Sequence, residues 1–381
     1  MSKKTTSIIL GICFAAVLGA VFMINLLTPD KDFSEEENRM LQDAPAFSLS
    51  SYMEGRYESR LETYANDQFL LRSAFIRVKT ACDVTMGKVE ANGVYRCRDS
   101  YLMEGITPPS DKGMEKQLEG LDAFKKRHKG MAMYFLLAPN AANILRDKLP
   151  AFAVTEDQNR YMDQFFAEIE KLGYEPLDVR DTLSAHAGDT QLYYKTDHHW
   201  TTDGAFLAYK QAARTMKLRD AVSYKRYVVK NDFRGTLASK SGFVNGENDS
   251  LTIYMPDKDK DYRNSVIYYP DTKTKTTEFY QLENLNTKDA YTVFGGSNHP
   301  MYTIKTPVDT GEKLLLIKDS YANSMIPFLA QNFREIVVVD PRYYFEDIEA
   351  LMKKEGITQV MFLYNANTFF EDSSLEMMLT S

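Results

Sequence analysis

Three compact apolar runs near the carboxyl end constrain the fold most: Lys313–Lys318 (Lys-Leu-Leu-Leu-Ile-Lys), Glu335–Val339 and Gln359–Tyr364. Helical segments separate them, over 322–332 and 345–354, the latter ending near Gly356. Apolar strands alternating with helices require a mostly parallel sheet covered on both faces. Earlier segments fit the same rhythm. Met131–Leu137 is a strand ended by Pro139-Asn140, residues 158–172 carry Tyr161, Met162, Phe165, Phe166, Ile169 and Leu172 at helical spacing, and Pro176–Val179 is a short strand. Thr202 or Asp203 can cap a helix running to Met216. The fold expected is therefore α/β, a mostly parallel sheet with a helical layer on each face. In such sheets ligands bind at the carboxyl ends of the strands, where Asp319-Ser320, Asp340-Pro341-Arg342 and Asn365 fall.

Residues 220–310 break the rhythm. They are rich in Tyr, Lys, Thr and Asp, with short alternating runs such as Ser265–Tyr269 and Glu278–Leu282 and no long helix. This is read as a β-rich insertion forming one wall of a cleft. Its aromatic and polar character suits a sugar polymer; a β-rich elaboration without a ligand is the alternative.

The amino end carries a different signal. Lys3 and Lys4 precede an uncharged run over 7–27, and Pro29-Asp30-Lys31-Asp32 follows. That length crosses a hydrocarbon core as a helix, and the leading lysines keep the amino end in the cytoplasm. The run is long for a cleaved signal peptide, and Leu18-Gly19-Ala20 is a poor cleavage tripeptide. The expected organisation is a cytoplasmic tail over 1–6, a transmembrane anchor over 7–27, a polar stalk over 28–60, and an extracytoplasmic domain over 61–381. Apolar residues between Tyr52 and Lys88 recur at helical spacing, which predicts a helix packed on the core. Asn92-Gly93 leads into a strand at Val94. Outside the cell, Cys82 and Cys97 either form one disulfide or remain as two free thiols.

With 46 basic against 53 acidic side chains, the net charge of −7 excludes nucleic acid as a partner. The three cysteines form no Cys-x-x-Cys, and no histidine spacing resembles a zinc site; neither a metal nor a cofactor is expected.

Chemistry concentrates in residues 193–205, Tyr-Tyr-Lys-Thr-Asp-His-His-Trp-Thr-Thr-Asp-Gly-Ala, which hold two of the five histidines and the single tryptophan. If Lys195–Trp200 is extended, Asp197 and His199 share a face and His198 points the other way. Asp197 then orients His199 by accepting from one ring nitrogen, leaving the other free as a base. The plain alternative is a strand-end acid with two polar histidines. Ser320 follows an apolar strand and opens a helix, where backbone N–H groups can receive an oxyanion. Such a serine most often serves as a cap. With the Asp-x-His pair it supplies nucleophile, base and orienter in the chain order Asp, His, Ser.

The stretch Thr196-Asp197-His198-His199-Trp200-Thr201 with Gly204, followed by Asp319-Ser320, resembles the bacterial DHHW proteins. These are relatives of the alginate O-acetyltransferases, within the wider SGNH hydrolase-like group. The similarity extends over roughly residues 33–370, including Glu37-Asn38-Arg39 and the stretch from Asp67 to Arg72. The resemblance implies a three-layer α/β/α SGNH-hydrolase-like (flavodoxin-like) fold outside the membrane and a site that moves acetyl groups on a cell-surface polysaccharide. Ser320 matches the nucleophile, His199 the base and Asp197 its partner, while His198 occupies the place of the relatives' threonine. It further implies a membrane-bound O-acyltransferase that supplies the acetyl group. Two departures stand out. The Gly-Asp-Ser of many SGNH enzymes is Lys318-Asp319-Ser320 here, and the Gly and Asn blocks that complete the oxyanion hole have no obvious counterpart. Asn365, Arg342 and Asn298 are the oxyanion or substrate candidates; their structural alternatives are a strand-end turn, a surface ion pair and a loop turn after Gly295-Gly296. Trp200 is expected to pack beside His199. The competing functions are a polysaccharide O-acetylesterase, with water as acceptor, and a non-catalytic envelope scaffold.

Overall fold

The computed structural model describes residues 3–34, 39–110, 112–219, 222–244, 246–257 and 264–380. Glu37 and Asn38 of the Glu37-Asn38-Arg39 stretch lie outside them. The chain forms two compact units, the first comprising Met1–Lys88 with Ser239–Phe243, the second Val89–Ala238 with Val244–Ser381.

The first unit begins with helix α1 (Lys3–Leu27), of which Thr5–Leu27 is long and apolar enough to cross a membrane. Phe33–Ser34 pairs antiparallel with Arg39–Met40, and Ser48 caps a short helix over Leu49–Met53. The helical pattern between Tyr52 and Lys88 resolves into two helices, α2 (Arg56–Asp67) and α3 (Arg72–Thr85). The break falls at Leu71, whose φ of 58° no helix interior accepts. Asp67 at the end of α2 accepts a hydrogen bond from Gln42 N (3.0 Å), and Thr80 of α3 donates to the Ser241 carbonyl (2.6 Å).

The second unit is built on one eight-stranded sheet. Its main elements in chain order are α4 (Gly113–Arg127), β1 (Ala132–Ala138), α5 (Gln158–Lys171), β2 (Glu175–Pro176), α6 (Thr202–Thr215), β3 (Tyr224–Phe233), β4 (Asp249–Pro256), β5 (Val266–Tyr269), β6 (Thr274–Thr276), β7 (Met301–Lys305), β8 (Lys313–Lys318), β9 (Glu335–Val339), α7 (Ile348–Glu355) and β10 (Gln359–Asn365), beside a small three-stranded sheet over Glu90–Ala91, Val94–Arg96 and Leu102–Glu104. The sheet order is β6-β5-β7-β9-β8-β10-β1-β2. From β9 to β2 every pairing is parallel; β7, β5 and β6 extend that edge antiparallel.

Alternation along the central strands makes the three layers. Leu315 and Ile317 of β8, Val337 and Val339 of β9, and Phe362 of β10 face the core beneath α4, α5 and α7. Leu314, Leu316, Ile336, Val338, Met361 and Leu363 face the opposite core, which holds Trp200 and the alanine face of α6. Phe135 and Phe362 are register partners on β1 and β10 and stack at 5.3 Å, 5° from parallel. Each fully buried side chain of this size contributes about 1.5–3 kcal/mol.

The 220–310 segment divides its strands. β5, β6 and β7 join the main sheet, while β3 and β4 form a separate two-stranded ribbon. Glu278–Leu282 forms no strand; Tyr280 makes a single bridge with Phe294. The helix expected over 322–332 is instead a 3-10 turn at Ser320–Ser324 followed by a four-residue helix, Ile326–Leu329, with Pro327 in its first turn. Proline lacks the N–H that a longer helix would need there.

Candidate functional site

The Asp-His segment is a folded loop rather than an extended strand. Tyr193 bridges antiparallel to Trp200, and Tyr194 N donates to the His199 carbonyl (3.2 Å), so residues 195–199 turn between them. A buried carboxylate holds the turn: Asp249 accepts from Lys195 N, Thr196 N, Thr196 Oγ1 and Gln191 Nε2 at 2.6–2.8 Å. Burial raises the Asp249 carboxyl above its ordinary range, and those four donors oppose the rise.

Asp197 meets His199 through this turn. Its Oδ1 accepts from His199 N (3.0 Å), an Asx-type bond two residues on, and lies 2.6 Å from His199 Nδ1. Its Oδ2 accepts from Thr236 N (2.9 Å) and Thr236 Oγ1 (3.0 Å). Gly235 makes the approach of Thr236 feasible, because a Cβ at that position would stand 2.2 Å from Asp197 Cβ. The expectation that His198 points away is overturned. Turning brings its ring to 3.9 Å from that of His199, and His198 Nδ1 lies 2.8 Å from Thr236 Oγ1.

Ser320 enters from the carboxyl end of β8. The adjacent Asp319 accepts from Tyr321 N (2.9 Å) through Oδ1 and from Asn365 N (2.8 Å) through Oδ2, tying β8 to the end of β10. Ser320 Oγ then lies 2.7 Å from His199 Nε2. Trp200 locks the two segments together, its Nε1 donating to the Tyr321 carbonyl (2.9 Å) and Ser324 Oγ (3.1 Å). Tyr321 OH donates to the His198 carbonyl. Tyr291 lies on the His199 ring at 3.8 Å, 9° from parallel, and its hydroxyl donates to the Ser320 carbonyl (3.3 Å). Among the described residues the Ser320 N–H has no hydrogen-bond partner, so a donor stands beside the hydroxyl.

The electrostatics suit a proton acceptor. Burial, reinforced by His198 and opposed by Asp197, lowers the His199 imidazole to about 4, so the ring is neutral at pH 7. Burial alone would raise Asp197, but His198, His199 and the bond from Thr236 N hold its carboxyl well below the usual range. Asp289 is raised to about 6 by burial and by the Asp197 charge. An ionised carboxylate on Nδ1 and a neutral ring facing a hydroxyl can together remove the hydroxyl proton.

Of the three oxyanion candidates, Asn365 is the most committed elsewhere. Its side chain caps the helix Ala366–Glu371, accepting from Asn367 N and Thr368 N, and meets Asn140 Nδ2 at 3.2 Å. Asn298 is exposed, 3.3 Å from the Tyr343 hydroxyl. Arg342 forms two bonds to Asp340, 2.9 Å from Nε and 2.7 Å from Nη2, and its charge acts on both His199 and Asp319. Lys318, which precedes Asp319-Ser320, is buried in the sheet with Nζ 3.2 Å from Asp340. Asp197, His198 and His199 also bring three metal-capable atoms within 4.8 Å of one another. Hydrogen bonds to Thr236, Asp197 and Ser320 engage the ring nitrogens His198 Nδ1, His199 Nδ1 and His199 Nε2. All three cysteines are free; Cys97 is buried, which pushes its thiol up to about 12.

Thr236, Gly235, Asp249 and Tyr291 escaped the sequence reading. All four lie in the 220–310 segment, which breaks the strand–helix rhythm, and the Asx-like clamp at Asp249 has no signature before the chain is folded.

The fold is SGNH hydrolase-like, and residues 101–261 match the family model "SGNH hydrolase-like domain, acetyltransferase AlgX". Two curated proteins are similar to part of the chain. It is 24% identical over 176 residues to the probable alginate O-acetylase AlgJ of Pseudomonas fluorescens, covering 44% of each chain. It is 30% identical over 132 residues to the alginate biosynthesis protein AlgX of Azotobacter vinelandii, covering 34% of this chain and 26% of that one. It thus spans less than half the length of these curated relatives. Two solved structures share the fold: a DHHW family protein from Eubacterium siraeum (TM-score 0.60, 21% identity, 76% of this chain and 95% of that one) and Bacillus cereus PatB1 with a sulfonyl adduct (TM-score 0.59, 21% identity, 74% and 98%).

Proposed function

We propose that this protein is an extracytoplasmic O-acetyltransferase that moves acetyl groups onto a cell-surface or secreted polysaccharide through an acetyl-serine. The observation that carries the reading is the unbroken chain from Asp197 Oδ1 through His199 to Ser320 Oγ, with links of 2.6 and 2.7 Å. The AlgX family match and the AlgJ relative support transfer to a polysaccharide as the reaction class.

In the first step Ser320 Oγ attacks the acetyl carbonyl carbon as His199 Nε2 takes the hydroxyl proton. The oxyanion forms beside the Ser320 N–H, with the Arg342 charge nearby. Collapse breaks the bond to the leaving group, which departs with the proton held by His199. In the second step His199 takes the proton of a sugar hydroxyl, whose oxygen attacks the acetyl-serine. Collapse then returns the proton to Ser320 Oγ and releases the acetylated sugar. Asp197 stays ionised throughout and stabilises the imidazolium of each intermediate.

With α1 as an uncleaved anchor and the amino end in the cytoplasm, the site is separated from cytosolic acetyl donors. A membrane-bound O-acyltransferase beside it is the expected source of acetyl groups. The test supplies the full chain with an aryl acetate, with and without acidic and neutral oligosaccharides. Acetylated oligosaccharide is the expected product. Acetate alone, at a rate indifferent to the sugars, would make the protein an esterase, and no turnover of either kind would favour a scaffold.

A further inference from the structure

The turn between α2 and α3 is hydrogen-bonded to the end of the apolar helix. Leu70 N donates to Asn25 Oδ1 (2.7 Å), and Asn25 stands two residues before the end of α1. Just beyond, Lys31 N donates to Gln68 Oε1 (3.0 Å), Gln68 Nε2 returns a bond to the Lys31 carbonyl (3.0 Å), and Tyr64 OH meets Asp30 at 3.0 Å. The turn therefore lies at the height where α1 ends, to within a few ångströms. At about 1.5 Å per residue, the apolar part of α1 is somewhat longer than a hydrocarbon core of about 30 Å. Asn25 accordingly falls at the edge of that core.

The side chains presented at this height are not those of a water-facing loop. Leu71 is 66% exposed, Phe75 58% and Val78 63%, at spacings of four and three along α3, with Phe69 beside them at 40%. Phe22, Leu26 and Leu27 of α1, at the same end, are exposed to a similar degree. A cavity of about 640 Å³ adjoins the turn, lined by Lys31, Arg77 and Asp67 together with Phe33, Leu41 and Leu70. Apolar side chains at the hydrocarbon edge, with cations next to them, match the chemistry of a bilayer interface bearing anionic headgroups.

We propose that Phe69, Leu71 and Phe75 insert into the leaflet at the carboxyl end of α1, giving the first unit a second hold on the membrane. The inference rests on the anchor part of the proposed function. Two contacts at one level restrict how the unit can tilt about α1, which a single spanning helix does not.

The test uses the full chain with Cys13→Ala and Cys82→Ser, reconstituted in vesicles of phosphatidylcholine and phosphatidylglycerol. Nitroxide labels are placed one at a time at Leu18→Cys, Leu71→Cys and Phe75→Cys, and retained labelling of Ser320 by a sulfonyl fluoride reports folding. The expected result is stronger relaxation by oxygen than by a water-soluble nickel chelate at all three sites. A lipid-immersed label at 18 with water-exposed labels at 71 and 75 overturns the inference and leaves the anchor intact. Labels at 71 and 75 shielded from both reagents mean that protein covers the face, which also overturns it. A water-exposed label at 18, or a mass lacking α1, removes the anchor and the inference with it.

Discussion

The phenol ring of Tyr291 lies flat on the imidazole of His199, with centroids 3.8 Å apart and planes 9° from parallel. Its hydroxyl reaches the carbonyl of Ser320, so one side chain touches both the proposed base and the proposed nucleophile. Aromatic pairs contribute about 0.5–1.5 kcal/mol beyond the area they bury. Tyr291→Phe keeps the stack and is expected to retain most activity. Tyr291→Ala releases the ring and is expected to lower kcat by about tenfold, in line with that energy. Steady-state kinetics on an aryl acetate check both, with unchanged thermal unfolding of the Phe variant as control.

Asp197 has no substitute in the loop. Asp197→Asn preserves shape but removes the charge and lets His199 adopt the wrong tautomer, for which a loss of about 10³–10⁴-fold in kcat is expected. Because Thr236 N and His199 N also donate to this carboxylate, Asp197→Ala should additionally unfold at a lower temperature. Rate and melting curves on the two variants separate the chemical loss from the structural one.

The pH profile should depart from that of an ordinary histidine. His199 is lowered to about 4, and only the neutral ring accepts the serine proton. Acetyl-enzyme formation should therefore be flat from pH 7 down to about 5 and fall below, with a midpoint near 4 rather than about 6.5. Pre-steady-state bursts across pH measure this directly. A midpoint above 6 would mean that the ring is more solvated than the structure has it.

Gly235 admits Thr236 to the carboxylate. Gly235→Ala would set a methyl group 2.2 Å from Asp197 Cβ, so the backbone must shift. Overpacking of this kind costs about 1–3 kcal/mol, and activity should fall further than stability because the shift displaces Asp197. Gly188→Ala, where nothing stands within 4 Å and φ is not positive, is the comparison for a glycine away from the site.

How far the chain could be read depended on how local each signal was. β8 and β9 have the expected bounds because four consecutive apolar residues set off by charged ones allow few other outcomes. The Asp197–His199 pair was legible, although the reason differs: an Asx-type turn, not strand alternation, brings the side chains together. Thr236 and Asp249 were not legible, since they reach the loop from 39 and 53 residues away in a segment that breaks the strand–helix rhythm. The helix after Ser320 is shorter than the expected 322–332 because Pro327 stands inside the apolar run Met325–Leu329.

The central claim is that Ser320 carries the acetyl group. Intact-mass and peptide mass spectrometry after brief exposure to an aryl acetate tests it most directly. One acetyl group on Ser320, lost in Ser320→Ala and not accumulating in His199→Ala, is the predicted result. Acetylation elsewhere at an unchanged rate in Ser320→Ala, or turnover that survives that substitution, would contradict it.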